Sequence, residues 1–177
     1  MAWVRDVLGF WFARGEQEWW RANDALDQEI GRRFRDLWEE QRERPPEDFL
    51  DAPDHALAAV ILFDQFPRNM FRGHADQFST DPLALAVARG AVERGFDDGM
   101  AAERRQFLYM PFQHSEDAKD QMRSLLLFTA LGEPEQIRYA RLHHDVIARF
   151  GRFPHRNAIL GRKPRADELA AGDVVPW

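Results

Sequence analysis

No stretch of this chain alternates apolar and polar residues as a half-buried strand requires, and tyrosine, a strand-favouring residue, occurs only twice. Apolar residues instead recur at three- and four-residue steps between prolines and glycines. Trp3, Val7, Phe10 and Trp11 share one face of a helix over 2–13. Asn23 is a good N-cap for a helix to about Glu43 that carries Leu26, Ile30, Phe34, Leu37 and Trp38 inward, and Pro45-Pro46 stops it. Pro53 opens the next helix. Asp81-Pro82 starts another, which ends at Gly95. Ala101–Met110 reads as a helix closed by Pro111. Ser115 reads as the cap of a helix to Gly132, with Glu116 and Asp117 in its first turn. Glu133-Pro134 begins a long helix to Phe150, a short one is expected near His155, and Pro164 opens the last. The expectation is an all-α fold of about eight helices packed as antiparallel hairpins.

With 177 residues the chain fits one domain, 1–177, large enough to build a core without a disulfide or metal. Its composition, 45% apolar with six Trp and fourteen Phe, is that of a globular protein. No cysteine is present, which excludes disulfides, thiolate metal sites and a Cys nucleophile. The first residues lack the pattern of a signal peptide, and the longest apolar run, Ala56 to Phe63, is too short to span a bilayer. A cytoplasmic protein without a membrane partner is expected. The net charge of −6 argues against broad nucleic-acid binding. Charge is nevertheless uneven: residues 1–64 hold fifteen Asp/Glu against eight Arg, while 138–165 hold seven Arg and one Lys against Asp145 alone. Such a basic block is a solvated helix face, a partner for the acidic half, or an anion site.

One element occurs twice, Phe66-Pro67-Arg68-Asn69-x-x-x-Gly73 and Phe153-Pro154-His155-Arg156-Asn157-x-x-x-Gly161, with the Arg-Asn pairs 88 residues apart. In the first copy Asp64 lies on the inward stripe and needs a partner; Arg68, four residues on, has the spacing for a structural ion pair. Pro67 withholds a backbone donor and frees the carbonyl of Phe63. The second copy is more cationic and follows Gly151, which reads as a tight turn. Arg68, Asn69, Arg72, Arg152, Arg156 and Asn157 are therefore the candidate ligand-binding residues, suited to carboxylate or phosphate. The alternative is that these arginines cap helices or lock helix corners.

His114, in Pro111-Phe112-Gln113-His114-Ser115-Glu116-Asp117, is not explained by helix chemistry. His114, His155 and Glu116 are the candidates for proton transfer, on the condition that His114 lies near the arginine cluster. Their spacing does not fit a helical metal site, and neither metal nor cofactor is expected. His144 falls on the stripe Ile137, Ala140, His144, Ile147 and reads as a core histidine. No phosphate loop, nucleophile elbow or dinucleotide turn is present.

Phe10-Trp11-Phe12, Trp19-Trp20, Leu62 to Asn69, Thr80-Asp81-Pro82-Leu83-Ala84, Pro111-Phe112 with His114-Ser115-Glu116-Asp117, and Arg149 to Asn157 together resemble the DUF924 family of bacterial proteins of unknown function. The resemblance runs from about residue 7 to 162 and implies a TPR-like, all-α fold. It brings no reaction or substrate, so no residue role is carried over. Three readings stay open: a module that binds a small anionic ligand or a peptide carboxylate, an enzyme acting on a small anion, and a structural protein whose interaction surface lies elsewhere.

Overall fold

The computed structural model describes residues 1–176. Every regular element among them is helical, as the spacing of apolar residues requires. The chain forms two compact units, Met1–Leu108 and Tyr109–Trp177.

Unit 1 is built around one buried helical run. It starts as α4 (Pro53–Val60), passes through a π-helical segment (Ile61–Gln65) and continues as α5 (Phe66–Met70). Every residue from Ala56 to Pro67 is buried, so this run, apolar except for Asp64 and Gln65, is packed on all sides. It is flanked by α1 (Ala2–Phe12), α3 (Asp24–Gln41) and α6 (Asp81–Glu93), which bury Val7 and Trp11, Ile30 and Phe34, and Val87 and Ala88. A short α2 (Glu16–Trp19) lies between α1 and α3. Phe10, Phe34 and Phe66 meet in edge-on and tilted pairs, with centroids 4.7 to 6.0 Å apart.

The first Phe-Pro-Arg-Asn copy explains the π segment. Pro67 has no N–H to give Phe63, and one extra residue is accommodated before it as the Phe66 N–H turns to the Ile61 carbonyl. Thr80 Oγ1 donates to the freed Phe63 carbonyl at 2.7 Å and accepts from Trp38 Nε1 at 3.2 Å. Thr80 is also the N-cap of α6, one residue earlier than the Asp81 cap expected from the sequence; Asp81 is left to pair with Arg68.

In unit 2, α8 (Ala118–Leu131) and α9 (Pro134–Phe150) form a hairpin. Only Gly132 and Glu133 link them, so they run antiparallel. Gly132 adopts φ 87°, a left-handed turn that favours glycine. The buried faces are Gln121, Ser124 and Phe128 on α8 and Ala140, His143, Ile147 and Phe150 on α9. His143, not His144, thus lies on the inward stripe. A short α10 (Ala166–Ala171) starts at an Arg165 cap, two residues after the Pro164 start expected.

Between α6 and α8, α7 (Ala102–His114) does not end before Pro111 but runs through it to His114. The proline forfeits one hydrogen bond, while Pro111, Phe112 and Gln113 are all buried. Beyond it, the Gln121 amide collects the carbonyls of Gln113 and Ser115, each at 2.7 Å. The N-cap of α8 is Asp117, whose carboxylate accepts from Lys119 N at 2.7 Å. Ser115 instead accepts from Asp117 N and donates to Asp120. Glu116 therefore lies before the helix, and its carboxylate is directed to other work.

Candidate functional site

The two Phe-Pro-Arg-Asn copies share chemistry but not backbone. The first sits inside a helix. The second follows Gly151, which ends α9 in the left-handed region at φ 65°, and forms a 3-10 turn over Pro154–Arg156. Both copies use their asparagine on a carboxylate held by an arginine. In unit 1, Asn69 Nδ2 donates to Asp27 at 2.7 Å, and Arg72 grips the same carboxylate through Nε and Nη2 at 2.7 and 3.0 Å. In unit 2, Asn157 Nδ2 donates to Glu168 at 2.9 Å, and Arg152 grips that carboxylate at 2.5 and 2.8 Å. Arg68 makes a two-point pair with Asp81 at 2.8 and 3.0 Å and lies 3.5 Å from the buried Asp64. Burial alone would lower the Arg68 pKa; Asp64 and Asp81 outweigh it and raise it. Glu168 is held down to about 2, first by the Arg152 hydrogen bonds and then by the Arg165 N–H and Asn157. Five of the six residues singled out for ligand binding thus engage carboxylates of the chain itself. The sixth, Arg156, acts through its charge on the Glu116 carboxylate.

Arg156 is 7% exposed and lies over the fully buried ring of Phe153, 4.5 Å from its centroid. Two imidazoles pack against the same ring: His143 and His155, both with centroids 5.6 Å from it. His114, at the end of α7, stands 6.4 Å from His143, ring to ring. Two histidines and a guanidinium therefore pack on one phenylalanine, with His114 next to His143; the side chains come from α7, α9 and the turn after Gly151. The sequence singled out His114 and His155 as candidates but not His143. The signal was available, since Ala140, His143 and Ile147 keep helical spacing as well as the stripe read through His144 does.

Glu116 fixes the position of Phe153. Its carboxylate accepts from the Phe153 N–H at 2.7 Å and takes a two-point grip from Arg162 at 2.7 and 3.0 Å. Arg162 also donates to the Phe153 carbonyl at 2.9 Å and to Asn157 Oδ1 at 2.9 Å. Burial would raise the Glu116 carboxyl, but Arg162 and the Phe153 N–H outweigh it and hold it below the usual range. This carboxylate bears electrostatically on His155, and the charges of both Arg162 and Arg156 act on it.

The imidazoles respond to burial and to the neighbouring charges. His143 is pushed down to about 3, chiefly by burial, with the charges of His114, Arg156 and His155 adding to it and its bond to Tyr139 opposing. His155 is pushed down to about 4, by burial first and then by Arg156. Both rings are neutral at pH 7. His143 Nδ1 lies 2.8 Å from the Tyr139 carbonyl. A carbonyl can only accept, so Nδ1 carries the proton and Nε2 keeps the lone pair. The amide end of Gln113, 3.3 Å from the same Nδ1, can turn its oxygen to that proton. Among the described residues, no three His, Asp or Glu side chains are grouped as metal ligands, and no helix is long and apolar enough to cross a membrane.

The sequence model for "Bacterial protein of unknown function (DUF924)" matches residues 7–171. The chain belongs to the DUF924 family. A solved structure of a protein of unknown function from Agrobacterium tumefaciens is similar to it, with 39% identity over 96% of each chain and a TM-score of 0.90. No curated protein matches. The DUF924 assignment thus carries the fold and leaves the chemistry of the Phe153 cluster to be argued from its own residues.

Proposed function

We propose that this DUF924 protein binds a small carboxylate- or phosphate-bearing ligand at the Phe153 cluster of unit 2, with Arg156 as its principal cation. His114, His143 and His155 surround it as hydrogen-bonding partners. The observation that supports this reading is the gathering of a nearly buried guanidinium and three imidazoles in one cluster of side chains. A guanidinium in a low-dielectric setting interacts strongly with a nearby anion. Arg68, Asn69, Arg72, Arg152 and Asn157 act in this reading as the frame. A TPR-like arrangement of helices would let the anion be the C-terminal carboxylate of an extended peptide as well as a metabolite. The same reading places the protein in the cytoplasm.

Isothermal titration with inorganic phosphate and with acetate tests it. The wild type is expected to bind at least one of them with a Kd below about 1 mM, and Arg156→Lys to weaken binding about tenfold or more while melting as a folded protein. Absence of binding, or an unchanged Kd in Arg156→Lys, would overturn it. Turnover is the second reading, favoured by the imidazoles of His114 and His143 standing 6.4 Å apart, ring to ring, in the same cluster. Consumption of a bound compound over an NMR time course would establish it.

A further inference from the structure

Large apolar side chains exposed on this chain mostly stand alone, as Trp20, Leu160 and Leu169 do, and single exposed residues need no explanation. Met122 and Leu126 differ. They are 48% and 58% exposed and stand four apart on α8. Their row continues to Ala130, also exposed, on the side of α8 away from the buried Gln121, Ser124 and Phe128. Rows of side chains four apart are the ridges through which helices pack. The charges along this outer face are polarised. Lys119 and Arg123 flank the row towards its N-terminal end, and Glu133 stands past its C-terminal end, just after Gly132. All three are exposed, and none has an ion pair among the described residues. Leu126 lies midway between Lys119 and Glu133. A face with cations at one end, an apolar middle and a carboxylate at the other is complementary to itself when turned end for end.

We propose that the outer face of α8 is the interface of a two-fold dimer, occupied by α8 of a second copy of this chain running antiparallel. With Leu126 on the axis, it packs on Leu126 of the second copy, and Met122 meets the small Ala130. Lys119 then comes opposite Glu133, and every contact away from the axis is made twice. The antiparallel arrangement also sets each helix N-terminus near the C-terminal end of the other, as their dipoles favour. A parallel pair would place cation against cation, and an unrelated acidic partner would suit Lys119 and Arg123 but oppose Glu133. One helix per partner covers less surface than a stable interface does, so the dimer is weak and reversible.

Sedimentation equilibrium of the full chain from about 5 to about 500 µM tests this, with a dimer expected at a Kd of about 100 µM. Leu126→Glu, at a position outside the core, should remain a monomer throughout and keep the wild-type melting temperature. Lys119→Glu and Glu133→Lys should each weaken association about fivefold, because each pair occurs twice. Neither side chain carries a helix cap, so both variants should fold. The double variant, Lys119→Glu with Glu133→Lys, should recover wild-type association. A wild type that is monomeric at every concentration overturns the proposal and leaves the face to a different partner. A dimer that survives Leu126→Glu overturns it by placing the interface elsewhere. Failure of the double variant to recover overturns the antiparallel register.

Discussion

Acid should destabilise this protein through His143 well above the range where carboxylates titrate. The unfolded ring has an ordinary pKa near 6.5 and the folded one about 3, chiefly because burial penalises the charged form. A histidine with a depressed folded pKa binds fewer protons folded than unfolded, so stability falls as pH drops below about 6.5 and continues to fall until about 3. Each such group contributes a slope of about 1.4 kcal/mol per pH unit inside that window. Between pH 7 and pH 5, His143 alone accounts for a loss of about 2 kcal/mol, and this figure hardly changes if the folded value is nearer 4. His155 acts in the same direction from about 4, but it is only half-buried, and screening reduces its share to about 1 kcal/mol. Glu116 and Glu168, both depressed, add their losses at lower pH, below the ordinary carboxylate pKa. Urea unfolding at pH 7.0, 6.0 and 5.0, followed by tryptophan fluorescence, measures the slope. His143→Phe should retain more of its pH 7 stability at pH 5 than the wild type does, by about 2 kcal/mol. Parallel lines for the two proteins would refute the argument that His143 is held neutral by its surroundings.

Other perturbations follow from single contacts. Thr80→Val keeps the shape but leaves the Phe63 carbonyl without its donor and should cost about 1–3 kcal/mol in urea unfolding. Phe66→Ala empties the centre of the Phe10–Phe34–Phe66 cluster and should cost about 3–5 kcal/mol by the same measurement. Arg162→Ala removes the two-point partner of Glu116 and the clasp on Phe153, and should cost about 2 kcal/mol. It should also weaken phosphate binding, because Phe153 positions Arg156 and two of the imidazoles. Unchanged binding in a folded Arg162→Ala protein would show that the clasp does not set the site.

Much of the architecture was legible because helix signals are local. The Asn23 cap, the prolines at 53 and 134 and the glycine at 132 act within one turn, and the structure uses each of them as a helix boundary. The boundaries that shifted did so through contacts distant in sequence. Pro111 is carried inside α7 beside the Gln121 amide, and Asp81 yields the cap of α6 to Thr80 because Arg68 holds its carboxylate. The candidate site was legible in part for the same reason. Its residue types were visible in His114, His155 and Arg156. Which arginines meet carboxylates was not, because Asp27, Asp81 and Glu168 lie 45, 13 and 16 residues from Arg72, Arg68 and Arg152. His143 was hidden by a one-residue ambiguity in the inward stripe of α9, which spacing alone does not resolve.

The central claim, that the Phe153 cluster is an anion site organised by Arg156, is most directly tested on the imidazoles themselves. Proton–nitrogen NMR of the histidine rings gives each pKa in chloride buffer and again at saturating phosphate. An anion beside Arg156 offsets the charge that helps hold His155 down to about 4, so its pKa should rise by about one unit or more on binding. A His155 pKa that is the same in both buffers, with no phosphate-dependent shift at His114 or His143, would contradict the account.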